Sequence, residues 1–153
     1  MDKLGENLDR FRRSCKAKGF RLTPQRIAIY EALLACEHHP GAEDISRAVR
    51  TIYPDISMDT VYRTLNTFSK IGLIHPVDGH GRPRRYDPIV EPHHHFRCKQ
   101  CDRIIDFYDE RLNRVSPPDY ILQKFTVSSV KVTLEGGCDQ CSQPRKSTRA
   151  AEL

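Results

Sequence analysis

The chain has 153 residues, enough for one substantial core or two small ones, and 38% of them are hydrophobic. No apolar run approaches the roughly 20 residues that span a bilayer. Met1-Asp2-Lys3-Leu4-Gly5-Glu6 lacks the cationic start and apolar stretch of a secretory signal, so a cytoplasmic protein with no membrane partner is expected. The net charge of +5 gathers toward the N-terminus: residues 1–87 carry 15 Lys and Arg against 11 Asp and Glu, residues 88–153 carry 10 against 9. The first part is therefore the better candidate for meeting phosphate.

Helical spacing of Leu4, Leu8, Phe11, Cys15 and Ala17 predicts a first helix that Gly19 ends. Thr23 caps a second, with Pro24 at its first position and Ile27, Tyr30, Leu33 and Leu34 as its apolar stripe. His38-His39-Pro40-Gly41 stops it. A third helix is predicted over Ala42 to Ile52 with Ile45, Ala48, Val49 and Ile52 inward, before Tyr53-Pro54-Asp55 breaks the chain. Ser57 caps a fourth, closed by Gly72, with Val61, Leu65 and Phe68 buried and Asp59, Tyr62, Arg63, Asn66 and Lys70 on the opposite face.

Two extended segments, Leu73 to Val77 and Arg82 to Tyr86, flank Asp78-Gly79-His80-Gly81, a strong hairpin signal. Helices followed by such a ribbon read as a winged helix over residues 1–87. Residues 88–92, bounded by prolines, read as a hinge. In residues 93–141 the period changes: His93 to Cys98, Asp102 to Tyr108 and Phe125 to Glu135 read as strands, with a short helix over Asp109 to Val115. The polar residues 142–153 read as a disordered tail. The predicted class is α+β, a winged helix joined to a C-terminal α/β domain.

Tyr62 and Arg63 on the polar face of the fourth helix suit a major groove, where Arg can donate twice to guanine. Arg82, Arg84 and Arg85 on the wing would lie along phosphates, and Arg21 could reach backbone or minor groove. Taken singly, each is an ordinary surface residue; helix order and the basic hairpin together favour DNA contact.

Cys98/Cys101 and Cys138/Cys141 form two Cys-x-x-Cys pairs. In a reducing compartment four thiolates read as a closed tetrahedral zinc site, which stabilises a fold and does not catalyse; a redox pair is the alternative. Cys15 and Cys36 read as small core residues. His39, Asp87, His93, His95 and Asp106 form a second set, a nitrogen and oxygen mixture suited to Fe(II), Mn(II) or Zn(II). On a strand His93 and His95 share a side, while His94, with His38, His75 and His80, reads as a surface residue. Binding from both parts of the chain would make metal occupancy a switch. A zinc hydrolase is disfavoured by the lack of His-Glu-x-x-His; a zinc-ribbon interaction module would need no recognition helix.

Gly19-Phe20-Arg21-Leu22-Thr23-Pro24-Gln25-Arg26, Asp59-Thr60-Val61-Tyr62-Arg63-Thr64-Leu65, His93-His94-His95-Phe96-Arg97-Cys98 with Cys101, and the late Cys138/Cys141 pair resemble the ferric uptake regulator (Fur) family over nearly the whole chain. The resemblance implies a homodimeric winged-helix repressor on an inverted-repeat operator, with Tyr62 and Arg63 in the major groove and Arg21 in the minor groove. Asp87 and Asp106 look like the family's peroxide-stress (PerR) subgroup, where iron-uptake members usually carry Glu. That implies a five-ligand Fe(II) open to hydrogen peroxide and oxidation at His39 or His93, with Mn(II) giving a peroxide-insensitive repressor. Tyr62-Arg63-Thr64-Leu65 looks more like the iron-uptake members, so an iron-responsive repressor, or a zinc- or manganese-responsive one, stays an alternative. The last histidine is His95, so the family's additional metal site is expected to be missing.

Overall fold

The computed structural model describes residues 3–77 and 83–142. The hairpin turn, Arg82 and the tail from residue 143 lie outside the described residues. The chain divides into two compact units between Glu91 and Pro92.

In the first unit, α1 (Lys3–Ala17), α2 (Pro24–Ala35), α3 (Ala42–Val49) and α4 (Met58–Lys70) precede a two-stranded antiparallel ribbon, β1 (His75–Val77) and β2 (Arg85–Asp87). Gly19 and Gly72 end α1 and α4 with φ of 66° and 74°, the left-handed region that glycine enters without steric cost. Thr23 accepts from the Arg26 N–H and Ser57 from the Thr60 N–H, so both predicted caps form. Burial of α2 is wider than its predicted stripe: Ala28 and Ile29 are inside, whereas Ile27 and Leu34 are half-buried.

An aromatic knot closes this core. Phe11 of α1 stacks on Tyr30 of α2 at 4.0 Å, and Phe68 of α4 meets Phe11 edge-on at 5.2 Å and Tyr30 at 6.0 Å. Such pairs add about 0.5–1.5 kcal/mol beyond their buried area. Two inward assignments fail. Ala48 lies on the exposed side of α3, whose buried residues are Ala42, Ile45, Ser46 and Val49, and Ile52 is 65% exposed because α3 ends at Val49. Pro54 disfavours helical backbone in the residue before it, and the chain turns so that Ile56 fills the core instead.

The second unit is a three-stranded sheet in the order β4-β3-β5, made of β3 (His94–Cys98), β4 (Ile104–Phe107) and β5 (Thr133–Gly136). β3 runs antiparallel to β4 and parallel to β5. The parallel pairing needs a long crossover, which carries α5 (Glu110–Asn113), capped by Asp109, and α6 (Asp119–Leu122). The strand predicted from Phe125 is real only over its last part; residues 126–132 form no strand. α5 lies within the helix expected over Asp109 to Val115 but ends at Asn113, and α6, which follows Pro117-Pro118, is an element the sequence reading lacks.

Candidate functional site

The cysteine set is built by the β3 register. Cys98 ends β3 opposite Gly136 of β5, which puts Cys138 two residues beyond that pairing. Asp102 N–H donates to the Cys98 carbonyl at 2.9 Å, folding Cys98 to Asp102 into a tight knuckle that brings Cys101 round. Asp102 takes φ 63°, a conformation that Asp tolerates better than most residues, and its carboxylate accepts from Arg97 Nε at 2.7 Å. The four sulfurs lie within 4.8 Å of one another, with Cys101 and Cys138 3.7 Å apart, and none is in a disulfide.

The electrostatics of this set ask for a cation. The Cys101 amide, with that of Cys138, aims at the Cys98 sulfur and holds its thiol down to about 6. Hydrogen bonds with the Cys101 and Cys138 side chains push Cys141 up to about 12. Crowded thiols that cannot all ionise unaided are what a divalent ion relieves. Four sulfurs and no oxygen suit structural zinc.

The histidine and aspartate donors fall into one group in each unit. In the first, Tyr86 N–H donates to the Pro40 carbonyl at 3.0 Å and Gly41 bridges Arg85, stitching the turn after α2 onto β2. The stitch brings His39 Nε2 to 3.4 Å from Asp87 Oδ2, with both side chains at least nine-tenths buried. The Ile89 N–H donates to Asp87 Oδ1 at 2.8 Å and fixes the carboxylate. Sequence patterns carry no sign of this stitch, because it is long-range backbone pairing.

In the second unit, His95 of β3 stands directly across from Asp106 of β4. His95 Nε2 lies 3.4 Å from Asp106 Oδ1, His93 Nε2 lies 3.8 Å from the same oxygen, and the two imidazole nitrogens are 2.9 Å apart. Mixed nitrogen and oxygen donors converging in this way suit Fe(II) or Mn(II).

His94 departs from its surface reading. It faces the other side of β3, is 5% exposed, packs on the Phe107 ring at 5.5 Å, and its two ring nitrogens have no hydrogen-bond partner among the described residues. The period-two alternation fixes its side; what it could not show is that this side is the buried one. His38 and His75 are exposed, Cys15 is buried and Cys36 half-buried.

On α4, Tyr62 is 43% exposed and Arg63 lies one residue on, its guanidinium 3.7 Å from Asp59. Arg21 is exposed in the loop before α2, where Arg26 donates to its carbonyl and stacks over Phe20 at 4.3 Å. Arg84 is exposed and Arg85 half-buried on β2.

Residues 17–135 match the model of the ferric uptake regulator family. The chain belongs to the ferric uptake regulator family. It is 34% identical to the peroxide operon regulator of Bacillus subtilis over 128 residues, covering 84% of this chain and 88% of that one. Its fold is similar to that of the Helicobacter pylori ferric uptake regulator Fur, with a TM-score of 0.72 at 27% identity over 95% of this chain and 97% of that one. It is also similar to the Campylobacter jejuni peroxide stress regulator, with a TM-score of 0.64 at 25% identity over 92% and 100%. The α+β class is that of the family. Its members are metal-responsive repressors that bind DNA and act as dimers, and they are not enzymes. No helix among the described residues is long and apolar enough to cross a membrane.

Proposed function

We propose that this chain is a peroxide-responsive repressor of the cytoplasm, acting as a homodimer on an inverted-repeat operator. Residues 1–87 are its winged-helix reading head, 88–92 its hinge and 93–141 its dimerisation and metal-sensing domain. Cys98, Cys101, Cys138 and Cys141 hold structural Zn(II). His39, Asp87, His93, His95 and Asp106 hold one regulatory ion, Fe(II) or Mn(II). Tyr62 and Arg63 read the major groove, Arg21 reaches the minor groove, and Arg82, Arg84 and Arg85 follow phosphates.

The observation that carries this reading is the convergence of donors in each unit: the buried His39–Asp87 pair in one, and His93, His95 and Asp106 in the other. An ion that needs both groups ties metal occupancy to the arrangement of the reading heads and so favours the DNA-competent state. The carboxylates are both aspartates, as in the peroxide-sensing members. The similarity to the Bacillus subtilis peroxide operon regulator points the same way.

Fe(II) held by these residues would supply reductive cleavage of the hydrogen peroxide O–O bond; in the net change one peroxide oxygen would enter a ring C–H bond of His39 or His93 and the other would leave as water. The resemblance to the peroxide-stress members points to these two histidines, and the change would weaken a nitrogen donor of the site. The Tyr62-Arg63-Thr64-Leu65 run favours a second reading, an iron-responsive uptake repressor. Gel shifts of inverted-repeat promoter duplexes separate the two. Mn(II) and Fe(II) should both promote binding, and peroxide should abolish it only for the Fe(II) form. Fe(II)-dependent binding that survives peroxide would favour the iron-uptake reading, and no metal-dependent binding would refute both.

A further inference from the structure

A cavity of about 470 Å³ lies between α3 and α4, lined by Glu43, Ser46, Arg47, Arg50, Met58 and Tyr62. Residues 43, 46, 47 and 50 follow the spacing of a single helix face, and 58 and 62 are one turn apart on α4. The two elements thus meet in a groove with two arginines on one wall and Tyr62 on the other. We propose that Arg47 and Arg50, with Ser46 beside them, clasp a phosphate of the DNA strand flanking the groove that α4 reads, and so set the register of the reading helix. This rests on the DNA-binding reading above and adds to it three residues that carry no base specificity.

Three observations support the assignment. Ser46 is 1% exposed, yet its hydroxyl has no hydrogen-bond partner among the described residues. An unpaired buried hydroxyl is costly, and an oxyanion drawn into the cavity would satisfy it. Among the described residues Arg50 donates only through Nε, to the Ile56 carbonyl at 3.4 Å, leaving its terminal nitrogens for another acceptor. Arg47 is held by Asp44 at 3.3 Å in a solvent-exposed pair, an interaction worth little in water and readily exchanged for phosphate.

The position of the cavity chooses the occupant. Tyr62 forms one of its walls and precedes Arg63 on the exposed face of α4. When that face enters a major groove, the helix before it crosses the bordering backbone. Glu43 stands at the N-terminal end of the arginine face, one turn before Arg47. Its charge biases an anion toward the Arg47 and Arg50 end of the groove.

The test uses the full-length, zinc- and Mn(II)-loaded protein and a duplex it selects from a random library. Binding is measured by fluorescence anisotropy between 50 and 200 mM salt for R47Q/R50Q, R47K/R50K, S46A and, as a surface-charge control, R114Q. Each phosphate contact contributes about 0.9 to the salt slope. R47Q/R50Q should therefore lose about tenfold less affinity than the parent across this range, and bind selected and scrambled duplexes more weakly by the same factor. R47K/R50K keeps the slope, and R114Q matches the parent. S46A should bind about threefold more weakly without a lower melting temperature, since it removes an unpaired hydroxyl. A parental slope in R47Q/R50Q overturns the clasp while leaving the repressor reading intact. Failure of the parent itself to select any duplex overturns both.

Discussion

His39 and Asp87, 48 positions apart in the chain, meet at 3.4 Å because a hydrogen bond from the Tyr86 N–H to the Pro40 carbonyl and an antiparallel bridge between Gly41 and Arg85 pin the turn after α2 to β2. Backbone pairing brings the two residues together. The ribbon positions both, and the Ile89 N–H then orients the carboxylate. Two candidate donors fixed this way would need little reordering to bind a metal, and preorganisation of this kind increases affinity.

Asp87→Asn keeps the shape and removes the negative charge. Loss of an anionic ligand should weaken Mn(II) binding at least as much as loss of an outer-shell partner does, about 10–100-fold. The melting temperature of the metal-free protein should stay close to the parent's. Mn(II) titration followed by electron paramagnetic resonance gives the first quantity and calorimetry the second. Unchanged Mn(II) affinity would remove Asp87 from the ligand set.

The cysteine site ties the end of β3 to the chain just past β5, and its two ends come from residues 40 positions apart. Apparent binding energies of structural zinc reach about 10–16 kcal/mol in small domains and count as folding energy. Cys98→Ser or Cys138→Ser should drop the zinc content from one ion per chain to nearly none and abolish cooperative melting of the second unit. Elemental analysis with hydrogen exchange of β3 and β5 reads both effects. A zinc-free Cys138→Ser protein whose β3 amides stay protected would show that the sheet does not need the ion.

Helix ends and caps in the first unit were legible in the sequence because each depends on one or two neighbouring residues: Thr23, Ser57, Gly19, Gly72. The cysteine pairs and the histidine and aspartate residues were legible as candidate donors because of their residue types and spacing. Burial was less so. Ile52 fits the helical period but lies past the point where Tyr53-Pro54 turns the chain, and Ile56 takes its place in the core. His94 alternates as predicted, yet only the packing of the sheet's second face shows that its side is buried. The stitch at Pro40 and Gly41, which sets the His39–Asp87 distance, involves backbone groups and leaves no residue pattern.

Asp106 faces His95 across the β3–β4 ladder and has the same oxygen near both imidazoles. Asp106→Glu lengthens that arm by one methylene while keeping the donor type. Metal-dependent DNA binding should persist, whereas the peroxide concentration that releases half the DNA from the Fe(II) form should rise about tenfold or more. In the parent protein, mass spectrometry should find one added oxygen atom on a peptide containing His39 or His93. DNA release with both histidines unmodified would point to simple metal loss.

From Tyr120 onward the second unit leaves a run of apolar residues in solvent, among them Tyr120 at 65% exposure, Phe125 at 63%, Val130 at 45% and Leu134 at 48%. Val130, Val132 and Leu134 alternate as a strand should, yet only Thr133–Gly136 pairs, along β3. A segment with strand chemistry and an exposed apolar surface is suited to being completed by a second chain, and family members act as dimers. Val130→Glu and Leu134→Glu place like charges in that surface and, in a symmetric dimer, each appears twice. The double variant should run as a monomer by light scattering at concentrations where the parent is a dimer. It should also lose operator binding more than tenfold, since two half-sites are then read separately, while keeping its zinc. A double variant that stays dimeric would move the interface away from this surface.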